Sequence, residues 1–133
     1  MTVPTAAPLA HLSPAAQRAV VLARAAAEDH RSPVVDRDHL MAALLRVRSG
    51  VAARVAAALG AQTPDLVRRE ARPPTHIPFT PALRQAVTDA ATAAEQRGAG
   101  SIGTAHLLLG VLRGGALGGL TYDAVEAELA RRR

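Results

Sequence analysis

The stretch 98–103 reads GAGSIG and has the G-x-G-x-x-G spacing of a dinucleotide-binding turn. In such a turn the glycines let the backbone approach a pyrophosphate at the start of the following helix. The fingerprint needs a strand before it, whereas the preceding AVTDAATAAEQR is an alanine-rich helical pattern. It also needs an acid at a strand end about 20 positions on, and Asp123 falls within a late helical pattern instead. We therefore predict a connection between two helices and no nucleotide site.

The chain offers few candidate residues for other kinds of catalysis. It has no cysteine, which excludes a thiol nucleophile and cysteine-ligated metal. It has no lysine, which excludes a P-loop. His39 and His106 each precede core-type leucines, and no H-x-x-x-H or H-E-x-x-H spacing offers a metal site. We expect packed, hydrogen-bonded histidines, no cofactor, no metal and no enzymatic activity.

The composition predicts an all-α protein. The 133 residues fit one domain. They include 31 alanines but only one Phe, one Tyr and no Trp. Alanine is the best helix former, and β-branched and aromatic residues, which favour strands, are scarce.

The net charge of +5 comes from 16 arginines against 11 acids. Most of these arginines alternate with acids along helical segments, which is typical of a solvated face. Residues 131–133 form an all-arginine end. A nucleic-acid-associated protein stays open as an alternative, although it would need a clustered basic face, usually with aromatic residues.

The N-terminal MTVPTAAPLAHL lacks the basic and apolar regions of a signal peptide. The chain also has no uncharged apolar run long enough to span a membrane. The sequence thus predicts a cytoplasmic bacterial protein.

The chain contains an internal repeat. Residues 12–46 align with 79–113 at a constant offset of 67, with 12 of 35 positions identical. The most informative identities are Pro14/Pro81, Glu28/Glu95, His39/His106, Leu40/Leu107 and Arg46/Arg113.

Each copy begins with a helix start signal, Ser13-Pro14 or Thr80-Pro81, in which a hydroxyl caps the helix and proline takes its first position. An apolar stripe at helical spacing follows in both copies. After a short loop a second helix begins, with Asp36 and Thr104 as its predicted caps. The repeat therefore predicts two related helical units.

The two copies differ after their second helices. In the first copy we predict a third helix that ends at Gly60, a fourth over 63–71 and a proline-rich linker over 72–78. In the second copy nine residues are missing and GGALGGL stands in place of the third helix. We predict one domain over 9–130, with repeats at 12–71 and 79–130 and flexible ends at 1–8 and 131–133. We also expect weaker protection from hydrogen exchange in the second copy.

The motifs HLMAALLR, HLLLGVLR, SGVAARVAAALG and HIPFTP resemble the N-terminal domain of Clp-type AAA+ unfoldases, above all the ClpC branch of actinobacteria. The resemblance covers roughly residues 9–130. It implies two helical repeats related by a pseudo-twofold axis, without the ATPase module of the unfoldases. It also implies a non-enzymatic module that binds peptides, substrates or adaptors of a Clp protease, with the Clp ATPase itself as a further candidate partner. A variant is a decoy that sequesters ClpC-directed cyclic peptides.

The resemblance also implies phosphoarginine pockets, each with a threonine at the start of a first helix and a glutamate before the His-Leu of a second. Carried onto this chain, one pocket has Ser13 and Asp38, and the other has Thr80 and Ala105, which lacks the carboxylate. A carboxylate suits the guanidinium, and a hydroxyl at a helix start suits the phosphate. Capping and the helix dipole alone also explain these polar residues.

Leu12 and Phe79 precede the two predicted caps. A hydrophobic staple would pair them with apolar residues at the fourth helical position, but Gln17 and Arg84 stand there. These apolar side chains therefore either insert between the repeats or line an exposed apolar groove. The resemblance implies a peptide-binding surface in this region, for which Leu12, Phe79 and Arg84 are candidates.

Overall fold

A computed structural model describes residues 11–68 and 76–132. The described residues form helices and connecting segments, with isolated bridges but no strand. The all-α prediction is therefore confirmed. None of these helices is long and apolar enough to cross a membrane. The helices are α1 (Pro14–Asp29), α2 (Arg37–Arg46), α3 (Val51–Ala58), α4 (Pro81–Gln96), α5 (Thr104–Arg113) and α6 (Tyr122–Arg131).

The first helix of each repeat starts as predicted. Ser13 Oγ accepts a hydrogen bond from the Ala16 N–H at 3.2 Å, and Thr80 Oγ1 accepts one from the Leu83 N–H at 3.1 Å. Proline takes the first helical position in both helices, which contain 16 residues each. Their buried faces consist largely of alanine, which lets neighbouring helices approach closely: Ala16, Ala19, Ala23 and Ala27 in α1, and Leu83, Ala86, Val87, Ala90, Ala93 and Ala94 in α4.

Helix α5 lies at the centre of the core. It packs against α4 and also contacts α1, α2, α3 and α6. Its residues 107–112 are all buried. At Gly110 an added Cβ would overlap the Ala86 carbonyl oxygen, so the absence of a side chain sets the close α4–α5 approach. The fold therefore depends on small residues where its helices cross.

An extended segment before α1 pairs with the loop before α5. The Ser13 N–H donates to the Ile102 carbonyl oxygen at 2.9 Å, and the Ile102 N–H donates to the His11 carbonyl oxygen at 2.8 Å. We call residues 11–13 and Ile102 the first junction. It connects the beginning of the first repeat to the middle of the second.

The second junction, Val35 with residues 78–80, repeats this pattern with the repeats exchanged. The Val35 N–H donates to the Pro78 carbonyl oxygen at 2.9 Å, and the Thr80 N–H donates to the Val35 carbonyl oxygen at 3.0 Å. Every partner is displaced by 67 positions from its counterpart in the first junction, which is the offset of the sequence repeat. The two junctions thus express the pseudo-twofold relation in backbone hydrogen bonds.

The predicted third helix of the first repeat is confirmed, whereas the prediction of a fourth helix is wrong for its described residues, 63–68. Helix α3 is followed by Gly60 with a φ of +71°, a left-handed conformation that favours glycine after a helix. Residues 63–68 contain no helix, and 69–71 lie outside the described residues. Thr63, Asp65 and Val67 are exposed. A short segment without a buried face gains too little from packing to offset the cost of starting a helix.

The second repeat is shortened as predicted. A turn in which Leu117 and Leu120 exchange backbone hydrogen bonds connects α5 to α6. Gly118 and Gly119 have φ values of +61° and +79°. These conformations explain why the glycine-rich segment forms a turn where the first repeat has α3.

The C-terminal end of the described chain is helical. Helix α6 includes Arg131, and Arg132 Nε donates to Glu128 Oε2 at 3.1 Å. The helix continues because Glu128 provides a partner one turn earlier. Residues 76–78 of the linker are non-helical, while 72–75, 1–8 and Arg133 lie outside the described residues.

Candidate functional site

The starts of α2 and α4 meet at the second junction through a hydroxyl and a carboxylate. Thr80 Oγ1 donates a hydrogen bond to Asp36 Oδ1 at 2.9 Å. The same Asp36 oxygen accepts a hydrogen bond from the Arg37 N–H at 2.7 Å, as expected for a residue that precedes α2. The predicted cap at Asp36 is thus confirmed, and it is also a contact between the repeats.

Asp38 lies in the first turn of α2, two residues after Asp36. Its Oδ1 accepts a hydrogen bond from the His39 N–H at 2.8 Å. Its side chain is 34% exposed, so the carboxylate remains accessible to a ligand. A carboxylate in the first turn of a helix is also stabilised by the helix dipole.

The structure brings the candidate residues together in pairs other than those expected. We expected Ser13 with Asp38 and Thr80 with Ala105, each pair within one repeat. Ser13 instead belongs to the first junction, beside the start of α5, and Thr80 contacts the start of α2. The reason is the crossed pairing of the extended segments, which places the start of each first helix against the other repeat.

The start of α5, which faces Ser13, carries no carboxylate. Gly103 is the residue that caps α5, so the predicted cap at Thr104 is wrong by one position. Thr104 is buried, and its Oγ1 instead accepts a hydrogen bond from the Ala52 N–H of α3 at 3.2 Å. Ala105 occupies the position equivalent to Asp38.

The two related histidines hold the second helices at their starts. His39 Nδ1 accepts a hydrogen bond from the Asp36 N–H, and His106 Nδ1 accepts one from the Gly103 N–H, each at 2.9 Å. This is the geometry of a capping box, in which a side chain returns to the backbone before the helix. The prediction of packed, hydrogen-bonded histidines is confirmed.

Burial lowers the pKa of both histidines below the usual value of 6.5. At His39 the negative charges of Asp38 and Asp36 oppose this pKa shift, whereas at His106 the positive charge of Arg97 adds to it. An Nδ1 atom that accepts a backbone N–H must carry a lone pair. When His39 is neutral, the 3.4 Å distance between Asp38 Oδ1 and His39 Nδ1 is therefore not that of an ion pair.

The apolar residues before the first helices do not form an exposed groove together. Leu12 is 7% exposed and belongs to the core, which agrees with insertion between the repeats, the first of the two alternatives. Phe79 is half-buried, and the Arg24 guanidinium lies 5.4 Å from the centre of its ring. Arg84 is exposed. Leu12 is covered because the first junction draws its segment onto the second repeat.

A groove of about 1120 Å³, which the sequence did not reveal, lies between α3, α6 and the start of α5. We call it the α3–α6 groove. Its surface combines apolar and cationic side chains, among them Val51, Ala105, Leu129, Arg54, Arg97 and Arg132. No local pattern marks these residues, since they come from distant parts of the chain. Among the described residues no cluster of His, Asp and Glu is suited to bind a metal ion.

Comparisons with known proteins agree with this architecture. A family model described as the Clp repeat (R) N-terminal domain matches residues 11–121. A structure from preliminary structural investigations of a malarial protein secretion system has a TM-score of 0.68 at 13% identity, and the match covers 92% of this chain and 94% of that one. The N-terminal domain of the caseinolytic protease associated chaperone ClpD from Arabidopsis thaliana has a TM-score of 0.65 at 16% identity, and the match covers 92% and 95%.

At these identities the solved structures show the fold alone. The family match spans most of the chain, from His11 at the first junction to Thr121 before α6. Domains of this family are substrate- and adaptor-binding modules of Clp ATPases. The chain belongs to the Clp N-terminal domain family.

Proposed function

We propose that this chain is a non-catalytic module that binds arginine-containing peptide segments of Clp protease substrates or adaptors. The observation that carries the proposal is the accessible Asp38 carboxylate in the first turn of α2, the helix whose cap residue Asp36 contacts Thr80. This site lies between the two repeats, where a peptide would contact both. We call Asp36, Asp38 and Thr80 the acidic site.

The charges of the acidic site favour a guanidinium ligand. A carboxylate pairs well with the planar donors of arginine. The Thr80 hydroxyl already donates to Asp36 Oδ1, so the position that a phosphate would take faces a carboxylate. We therefore expect unmodified arginine to bind more tightly than phosphoarginine, which carries additional negative charge.

Calorimetric titration with a short arginine-containing peptide and its phosphoarginine form tests this proposal. We expect one site per chain, because Ala105 provides no carboxylate at the equivalent position. Asp38→Ala should abolish binding. Asp123→Ala is a matched control, since Asp123 is an exposed acid in the first turn of α6. Two equivalent sites, or undiminished binding by Asp38→Ala, would contradict the acidic site.

A pull-down from the source cell tests the biological part of the proposal. The wild type should recover Clp components or their clients, and a Thr80→Ala/Asp38→Ala variant should recover fewer. Ser13→Ala is the control because Ser13 caps α1 at the other junction. Equal recovery by all three proteins would remove the support for a Clp-related role.

A further inference from the structure

The α3–α6 groove differs in charge from the acidic site. Arg54 on α3 is exposed and forms no ion pair among the described residues. Arg132 Nη2 donates to the Arg54 carbonyl oxygen at 3.4 Å, and its guanidinium is paired with Glu128, whose Oε2 lies 3.1 Å from Arg132 Nε. Arg54 is therefore the cation at this concave surface that a ligand can pair with.

The acid in this groove is already neutralised. Glu126 Oε2 accepts a hydrogen bond from Arg97 Nη2 at 3.0 Å and lies 3.4 Å from the Tyr122 hydroxyl. Ala105, which takes the place of Asp38 in the second repeat, adds no negative charge. Because Arg97 and Arg132 are paired with Glu126 and Glu128, the charge available to a ligand in the groove is the positive charge of Arg54.

A smaller concave surface of about 330 Å³, formed by the end of α2, α3 and Arg48 between them, shares Arg54 with the α3–α6 groove. Arg48 and Arg54 are its charged residues, and Leu45, Ala53 and Ala57 form its apolar part. Arg54 lines both surfaces, so the two meet at this residue, and each combines arginine with apolar side chains. We call the two surfaces together the α3 path.

We propose that this path binds an acidic peptide segment in which leucine-like side chains alternate with Asp or Glu. Carboxylates would pair with Arg48 and Arg54, and apolar side chains would cover Val51 and Leu129. A nucleic acid fits this surface less well, because neither concave surface is lined by a Phe, Tyr or Trp on which bases could stack. The inference extends the proposed function to a second class of peptide and does not depend on the acidic site.

Fluorescence anisotropy with a labelled peptide of alternating Leu and Glu tests the proposal. Arg54→Glu should weaken binding by about tenfold or more, equivalent to about 1.4 kcal/mol. Arg46→Glu is the matched control, since it makes the same change in net charge on an exposed arginine that lines neither concave surface. Equal weakening by both variants, or no binding by the wild type, would overturn the proposal. Arg54→Gln, which should weaken binding less, together with thermal melting, separates loss of binding from loss of fold.

Further binding measurements show whether a negative result concerns this surface, the choice of partner or the acidic site. Ala105→Asp should weaken binding of the Leu-Glu peptide, because it places a carboxylate in the α3–α6 groove. Asp38→Ala should leave binding of this peptide unchanged. A labelled duplex oligonucleotide that binds through Arg54 more tightly than the peptide would overturn the choice of partner. If only the arginine-containing peptide binds, the acidic site stands and this inference fails; if only the Leu-Glu peptide binds, the reverse holds.

Discussion

Arg37 donates two hydrogen bonds to the carbonyl oxygen of Val111, from Nε at 3.0 Å and from Nη2 at 2.7 Å. Its Nη2 also donates to the Gly115 carbonyl oxygen at 2.6 Å. Arg37 thus caps the end of α5 from the start of α2. Thr104, at the equivalent position of the second repeat, contacts the start of α3 instead. The equivalent residues Arg37 and Thr104 therefore both connect the two repeats, but each does so through a different hydrogen bond.

The Arg37 contact should contribute measurably to stability. Arg37→Met keeps much of the aliphatic chain but leaves the carbonyl oxygens of Val111 and Gly115 without these donors. We expect a loss of about 1.5–3 kcal/mol in the free energy of unfolding, the range for hydrogen bonds to charged groups. Urea denaturation measures this loss. Arg46→Met, on an exposed face of the last turn of α2, should change stability by no more than about 0.5 kcal/mol, and an equal effect of both would refute the capping role.

The close approach of α4 and α5 predicts that Gly110 cannot be enlarged. Alanine normally favours a helix over glycine by about 1 kcal/mol. At Gly110, however, the new methyl group would overlap the Ala86 carbonyl oxygen. We expect Gly110→Ala to destabilise the protein by about 1–3 kcal/mol, as in other overpacked cores.

Gly100→Ala is the matched control for Gly110, because a Cβ at Gly100 meets no atom within 4 Å. It should leave the melting temperature unchanged or raise it slightly, since alanine restricts the unfolded chain. A melting temperature that does not fall in Gly110→Ala would show that α4 and α5 can separate at little cost.

The histidine capping boxes predict a loss of stability in mild acid. The pKa of His39 and His106 is lowered in the folded protein, so the unfolded chain binds protons first as the pH falls. Stability is therefore complete above about pH 6.5, the pKa in the unfolded state, and declines as the pH falls from there towards the lower folded pKa. Protonation of Nδ1 would also remove the acceptor for the Asp36 or Gly103 N–H.

Urea denaturation between about pH 7.5 and 5 measures this dependence. His39→Gln/His106→Gln should reduce it, because glutamine can accept the same backbone hydrogen bond without titrating. His76→Gln is the control, since His76 is exposed. An unchanged pH dependence in the double variant would assign the acid sensitivity to other groups.

Hydrogen exchange should show an order of protection different from the one that the sequence predicts. From the sequence alone, the shortened second copy is predicted to be the less protected half. The structure favours the opposite, because α5 of that copy is almost wholly buried while residues 63–68 of the first copy have no helix. We expect fast exchange over 63–68 and the slowest exchange in α5. Slower exchange over 63–68 than over α4 and α5, measured by mass spectrometry, would contradict this order.

Local signals predicted the helix starts well where the deciding contacts lie within a few residues. Ser13, Thr80 and Asp36 cap the predicted helices, since the side chain of an extended residue just before a helix reaches the free N–H groups of the first turn. Thr104 departs from this rule because its hydroxyl finds a donor on α3, far away in sequence. The segment 63–68 has a comparable start signal but no partner surface, and the signal alone does not form a helix.

The sequence by itself determined the helical class, the repeat and its offset, because periodicity, capping and alanine content act over single helices. Only the tertiary structure decided which repeat supplies each partner. Leu12 pairs with Ile102, and Val35 pairs with Phe79, because extended segments satisfy their backbone groups against the other repeat. That crossing joins Thr80 to Asp36 and leaves Ser13 without a carboxylate. The arginines of the α3–α6 groove likewise converge only when distant helices pack, which no local pattern encodes.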